Sequence, residues 1–368
     1  MRIAIDAREL TGRPTGVGRY LAELLSAWAA MPAAAAHEFI LCATERVVLP
    51  RASRLRLTAL VEPGQGTTWE QAMLPRLLRE AGPDVLFSPG YTAPLLTSTP
   101  IVLAVHDVSF AAHPEWFSRR EGLRRRVLTR LSARRAARVL TVSDFSKREI
   151  VRHLGVDQAR VEVIYHGATL LGDVDAAFSR RHAIGATRHP MVLFVGSLFQ
   201  RRHIPELVAG FSRIAARHPE ARLEIVGDNR SLPVLDVDRL AQDAGAAGRV
   251  NAREYVSEPE LSELYRHATA FAFLSDYEGF GMTPLEALAS GVPIVVLDTE
   301  VSREVYGPAA IYVPRAEPAL IETALAAALF DTAERTRILE AAPQVLARYS
   351  WQECGQRTLQ ALLAAGSA

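Results

Sequence analysis

FLSDYEGFGMTPLEALASGVPIVV (273–296) sets a loop and a short helical pattern between two apolar runs, TAFAFLS (269–275) and PIVVLD (293–298). Strand, loop, helix and strand in that order are the repeat of a parallel sheet, whose neighbouring strands need a crossover connection. Both runs are apolar throughout rather than alternating, as strands covered on both faces are. The pattern recurs along the chain. Strands are expected at RIAIDA (2–7), EFILCA (38–43), DVLFSPG (84–90), IVLAVHD (101–107), RVLTVSD (138–144) and VEVIYHG (161–167), and a second series opens with MVLFVGS (191–197) and RLEIVGD (222–228). Amphipathic helical patterns such as VGRYLAELLSAWA and PELVAGFSRIAAR lie between most of them. An irregular polar stretch, 168–190, separates the series. The reading is α/β, with two doubly wound parallel-sheet domains, 1–170 and 171–348, whose ligands sit beyond the carboxyl ends of the strands.

The totals agree. A chain of 368 residues exceeds one ordinary core. Its two cysteines, Cys42 and Cys354, lie far apart without metal-ligand spacing and fit a reducing compartment. MRIAIDAREL has no apolar signal core and no run is long enough to cross a bilayer, so the expected location is cytoplasmic or peripheral on the inner face of the cytoplasmic membrane. The net charge of +1 conceals a balance of +7 over residues 1–170 and −6 over the rest. Only one of the 42 basic residues is a lysine, Lys147, so arginine must do the work that usually falls to lysine.

Within 273–296, Thr283, Pro284 and Glu286 read as a helix start with a capping-box glutamate. Glu278 has no such local reason, since nothing in a loop at a strand's end needs an acid. Gly279 and Gly281 let the backbone approach a ligand, and the N–H groups of the new helix point to the same place. Acids for hydroxyls beside amides for phosphate suit a sugar diphosphate.

YEGFGMTPLEALASGVPIVV resembles the E-x7-E signature of the retaining glycosyltransferases of family 4, which have the GT-B fold. Thr15-Gly16-Val17-Gly18-Arg19-Tyr20, VHDVSFAAHPEWFSRR, TVSDFSKREI, VGSLFQRRHIPELVAGF and REYVSEPELSELY follow in family order. The resemblance implies two Rossmann-like domains facing a central cleft, an acceptor on the first and a nucleotide-sugar donor on the second, with a C-terminal helix (349–366) packing back on the first. It implies that Glu286 accepts ribose hydroxyls, that Glu278 lies beside the donor sugar, and that the amides of Gly279, Phe280, Gly281 and Met282, with Thr283, meet sugar and phosphate. It places His106 against the transferred sugar, where a histidine can donate to a hydroxyl or position the acceptor; a lone histidine at a strand's end is otherwise more often structural. Gly16 and Gly18, in a loop opening a helix, are expected to contact donor phosphate or acceptor. Base contacts are expected near Gly227 and Tyr255–Val256. Trp69, Glu70 and Gln71 resemble an element near the acceptor, although core packing is the simpler role for Trp69.

Where the family usually shows Arg-Lys-Asn, this chain has Arg201, Arg202 and His203. Negative charge grows on the leaving diphosphate as the glycosidic bond breaks, and fixed cations lower that barrier. Arg201 and Arg202 are therefore taken as catalytic together with His106 and Glu278. Glu254 stands where glycine is common, and GDNRSLPVLDV (227–237) is unusual after its strand; both departures fall where the base is expected.

The segment 119–138 has nine arginines and one glutamate, preceded by Trp116 and Phe117. Such a run is usually a solvated helical face. Trp116, Phe117, Arg119, Arg120, Arg124 and Arg125 also make a candidate contact with acceptor or anionic membrane, and no nucleic-acid fold accompanies them. Asp173-Val174-Asp175 and Asp236-Val237-Asp238 match a metal-binding D-x-D by chance in this reading, which expects no metal and no cofactor beyond the nucleotide sugar. GDP-mannose is the first choice of donor, from resemblance to a mannosyltransferase-like bacterial branch, with UDP-glucose, UDP-N-acetylglucosamine or a GDP-deoxyhexose as alternatives. The acceptor implied is a glycan on a lipid carrier in surface polysaccharide or lipopolysaccharide synthesis. The competing classes are a GT-B-shaped protein that binds glycan or a partner without catalysis, and a nicotinamide oxidoreductase, which the absent dinucleotide fingerprint disfavours.

Overall fold

Thirteen strands form two wholly parallel sheets in the computed structural model, which describes residues 1–12, 16–47, 55–168 and 190–367. Met1–Gly167 and Tyr349–Ala368 make one unit, and Ala168–Arg348 the other. The first sheet contains β1 (Arg2–Asp6), β2 (Glu38–Ala43), β3 (Arg56–Val61), β4 (Val85–Ser88), β5 (Ile101–Ala104), β6 (Arg138–Thr141) and β7 (Val161–Val163), in the order β3-β2-β1-β4-β5-β6-β7. The second contains β8 (Met191–Val195), β9 (Arg222–Val226), β10 (Val250–Arg253), β11 (Ala270–Phe273), β12 (Ile294–Leu297) and β13 (Ala310–Val313), in the order β10-β9-β8-β11-β12-β13.

The order reverses between β1 and β4 in one sheet and between β8 and β11 in the other. At such a point the loops leaving the two central strands run in opposite directions and open a crevice for ligand. β1 shows why the sheets are covered on both faces. Ile3 and Ile5 enter a core with Tyr20, Trp28 and Phe39, while Ala4 enters another with Trp69 and Leu103. In the second unit, Phe194, Phe211 and Phe271 are fully buried.

The helix Trp351–Gly366 belongs to the first unit and buries Cys354, Leu359 and Leu362. It lies so close to the helix Gly16–Ala30 that a Cβ on Gly355 would stand 3.0 Å from that of Ala27. The Trp28 indole Nε1–H donates to the Gly355 carbonyl at 2.7 Å. The expected strands are present but shorter. Strands β3, β10 and β13 were not expected; all three are sheet edges, and β3 and β10 leave much of their length exposed, which removes the apolar signal. Residues 169–189, including Asp173 and Asp175, lie outside the described residues.

Replacing Leu362 by Ala should cost about 2–5 kcal/mol in urea unfolding, the usual effect of a cavity under a packed helix. The exposed neighbour Gln356→Ala should change stability by less than about 0.5 kcal/mol.

Candidate active site

The loops after β8 and β11 flank the reversal point of the second sheet and are tied together. Arg202 donates from Nε and Nη2 to Glu278 Oε1 at 2.9 and 2.8 Å, and from Nη1 to the Ser197 carbonyl at 2.8 Å. Its guanidinium stands 4.8 Å from the Phe273 ring centre and 5.4 Å from that of Phe199, which also carries Arg201 at 4.3 Å. Arginine's flat, weakly hydrated cation suits such ring faces better than an ammonium. Ser275 Oγ donates to the same Glu278 oxygen at 2.8 Å, and the Asp276 amide donates to the Arg201 carbonyl at 2.9 Å. Gly196, at φ +149°, clears the way: a Cβ there would meet Arg202 Nη1 at 2.8 Å.

Arg201 and Arg202 sit in a 3-10 turn, Gln200–Arg202, and His203 follows at φ +51° before the helix Ile204–Arg217. The left-handed conformation accounts for the residue type, since asparagine and histidine are both enriched there. His203 Nε2–H donates to Asp276 at 2.8 Å, with Glu206 3.6 Å from Nδ1. Asp276 first, then Glu206, push the imidazole up to about 9, so it is a third cation beside the two arginines at neutral pH.

The helix after Glu278 begins earlier than expected. It spans Met282–Ala289 with Gly281 in the capping position at φ +91° and no side-chain cap. Thr283 and Pro284 lie in its first turn, so the capping-box reading of Glu286 is incorrect. Glu286 is 1% exposed and accepts from the Tyr265 hydroxyl at 3.2 Å. The turn is set instead by Gly281, whose carbonyl accepts from the Tyr306 hydroxyl at 2.9 Å and whose Cβ, if present, would stand 2.0 Å from that oxygen. Gly279 and Phe280 are buried, and Met282 and Thr283 half-buried.

A cavity of about 420 Å³ lies between the loop after β9 and the end of β10, with Gly227 in its lining. Tyr255 and Val256, expected at the base, are not part of that lining. Val256 is buried and Tyr255 stands 62% exposed. Asp236 caps the helix Val237–Asp243 by accepting from the Arg239 amide at 2.9 Å, which gives half of the second D-x-D a structural role. Among the described residues, no three His, Cys, Asp or Glu side chains are grouped as metal ligands.

In the first unit, His106 follows β5 and is nearly buried. Its Nε2 lies 2.8 Å from the Pro89 carbonyl. A carbonyl can only accept, so Nε2 carries the proton and Nδ1 is left as an acceptor. Burial lowers its pKa, opposed by the Pro89 carbonyl and Asp107, and the ring is neutral at pH 7. Of the two expected roles, donating to a sugar hydroxyl would need a proton on Nδ1, whereas Nδ1, which has no partner among the described residues, can accept a hydrogen bond from a hydroxyl. Tyr20, Tyr91 and His166 surround the ring at 4.9, 5.7 and 5.3 Å between centres, and Trp351 stacks on His166 at 5.6 Å. Tyr20 and His166 come from segments distant in sequence, and only the fold reveals them.

Gly16 and Gly18 are already inside the helix Gly16–Ala30, not in a loop before it, and Gly18 is buried. Trp69 is core, 1% exposed, with its Nε1–H given to the Glu62 carbonyl at 2.7 Å. Glu70, 2% exposed, accepts from Arg8 at 2.8 Å and Thr92 at 2.6 Å, and Gln71 donates to the Ala93 carbonyl at 3.1 Å.

The arginine run forms the helix Arg119–Arg135, capped by Ser118. Arg119, Arg120, Arg124 and Arg125 are exposed, and Arg124 and Arg125 pair with Glu121 at 2.9 and 2.7 Å. Trp116 stacks on His113 at 4.0 Å and Phe117 packs against the core, so both are half-buried. The exposed apolar residues are Leu123, Val127 and Leu131, 45–56% exposed and spaced one turn apart.

The Glycosyltransferase Family 4 model matches residues 14–170, and the Glycosyl transferases group 1 model matches residues 178–345. The chain belongs to this family of GT-B glycosyltransferases. It is 30% identical over 241 residues to the uncharacterized glycosyltransferase MJ1607 of Methanocaldococcus jannaschii, covering 62% of this chain and 60% of that protein. It is 28% identical over 223 residues to the O-antigen chain mannosyltransferase RfbU of Salmonella typhimurium, covering 61% of this chain and 58% of that one. The chain thus spans less than two thirds of the length of these relatives. The structure of Anabaena Alr3699/HepE in complex with UDP-glucose shares the fold, with a TM-score of 0.75 at 19% identity over 99% of this chain and 100% of that one.

The His203 ring should be protonated at pH 7.5 by NMR and titrate near 9, and Asp276→Asn should bring the midpoint towards 6.5. Because the folded pKa is raised, the stability it contributes is complete below about pH 6.5 and is lost as the pH rises through about 9.

Proposed function

We propose that the chain is a retaining glycosyltransferase that moves a sugar from a nucleoside diphosphate to a hydroxyl of a glycan or lipid-linked acceptor in surface polysaccharide synthesis. The observation that carries this is Arg202 bonded to Glu278 at the reversal point of the second sheet, with Arg201 and His203 beside it. A carboxylate next to a departing diphosphate would oppose the reaction unless a cation stood between them. Arg202 fills that place, which leaves Glu278 to accept from donor-sugar hydroxyls. Bond breaking places the glycosidic electron pair on the diphosphate, towards Arg201 and Arg202. The acceptor oxygen bonds to the anomeric carbon on the face the diphosphate leaves, and its proton goes to the departing phosphate oxygen. His106 Nδ1, an acceptor, orients a hydroxyl of the transferred sugar. No metal is part of this reading. Mannose from GDP-mannose is the first choice, supported by the similarity to RfbU.

Arg202→Ala should lower kcat for donor-dependent transfer on the order of 100-fold, as loss of one transition-state stabiliser does, and Arg202→Lys should recover part of it. A nucleotide diphosphate at about 100 times its dissociation constant should stabilise the protein by roughly 2.7 kcal/mol. If Glu286 holds the ribose, as the resemblance implies, Glu286→Ala abolishes that shift while Tyr265→Phe keeps it. No shift with any nucleotide would leave a non-catalytic binding protein as the better reading.

The helix Arg119–Arg135 is proposed to meet an anionic membrane surface through Leu123, Val127 and Leu131, with its arginines at the headgroups. The protein should sediment with vesicles rich in phosphatidylglycerol and not with neutral ones. Replacing all three apolar residues by serine should abolish this, while Trp116→Ala should have little effect.

A further inference from the structure

The cavity beside β9 and β10 includes Gly227, where the resemblance expects the nucleotide base, but the resemblance leaves open which base it takes. Leu198, Ile225, Val234 and Val237 give it apolar walls. Leu198 is bridged to Asn229 just beyond the ends of the neighbouring strands β8 and β9 and leads directly into the turn that carries Arg201 and Arg202. A volume of about 420 Å³ is in the range of small-ligand sites, roughly 300–1,000 Å³. A flat ring with apolar faces and a polar edge fits such walls.

Its polar groups decide which ring. Three carboxylates, Asp236, Asp238 and Glu254, and one cation, Arg253, line the cavity. Asp236 is committed to its helix cap, and Arg253 donates from Nη2 to Glu224 at 2.9 Å, while its buried Nε–H has no partner among the described residues. Asp238 and Glu254 make neither hydrogen bond nor ion pair with any described residue. Glu254 is also the residue that stands where a glycine is common, so its carboxylate is a group this chain adds.

Uracil presents one N–H between two carbonyls, and a carboxylate beside it meets two repelling oxygens. Adenine presents one amino group beside a bare ring nitrogen. Guanine alone presents two adjacent donors, N1–H and N2–H, which match the two oxygens of one carboxylate. We propose that this cavity selects guanine, with Glu254 and Asp238 as the carboxylates that read its N1–H and N2–H edge. The inference rests on the donor-site reading above and makes the nucleotide a guanosine diphosphate sugar.

The test is calorimetric titration of the full chain with GDP, UDP and ADP, in wild type and in Glu254→Gln, Asp238→Asn and the double variant. Unchanged circular dichroism and melting temperature serve as the folding control. Wild type should bind GDP at least about tenfold more tightly than UDP or ADP, the discrimination of a bidentate base contact. The double variant should lose about ten- to a hundredfold for GDP and less than about threefold for UDP, with the single variants showing which carboxylate carries more of the loss. UDP or ADP binding as tightly as GDP, or a double variant that weakens all three nucleotides equally, would overturn the guanine assignment and leave the donor site standing. Absence of binding by all three would overturn both.

Discussion

A guanidinium bonded to a carboxylate, Arg202 to Glu278 at 2.8 Å, holds together the two loops that flank the reversal point of the second sheet. Both partners are largely buried, with side chains 12% and 19% exposed. Burying such a pair costs desolvation that its attraction only partly offsets, so it is a poor device for stability alone. The surroundings are arranged to keep it. Gly196 gives the arginine room, Phe199 and Phe273 give it faces to lie on, and Ser275 takes up the carboxylate. The His203–Asp276 contact fixes the same two loops a second time.

The scarcity of lysine takes on physical meaning at this point. An ammonium in the place of Arg202 could not bond to Glu278 through two nitrogens, reach the Ser197 carbonyl with a third and lie flat on aromatic rings. The departure at the next position is explained by the backbone. A left-handed residue is required between the 3-10 turn and the helix, and histidine fills it while adding charge that asparagine lacks.

What was legible in the sequence follows from how local each signal is. Strands covered on both faces announce themselves as apolar runs, whereas β3 and β10 do not, being exposed edges. Glu278 could be singled out because no local need explained an acid there. Glu286 reads as a cap because Thr-x-x-Glu is a local pattern, while the turn is set by Gly281 with Tyr306, 25 residues away. The cage around His106 draws on the segments after β4 and β7 and on two helices, and no single stretch encodes its tautomer. Glu254 and the 227–237 loop could be marked as departures, but their meeting in one cavity with Asp238 is a property of the fold.

The return of the C-terminal helix to the first unit has a consequence for how the protein is made. The first unit begins at Met1, yet its core is completed only by Cys354, Leu359 and Leu362 near the other end of the chain. On the ribosome the residues of the second unit, through Arg348, emerge before Gly355 can offer its carbonyl to the Trp28 indole. Domains usually complete in the order of synthesis. Here the unit begun first is the one finished last, and its exposed helix groove must wait, unfilled, through the synthesis of an entire second domain.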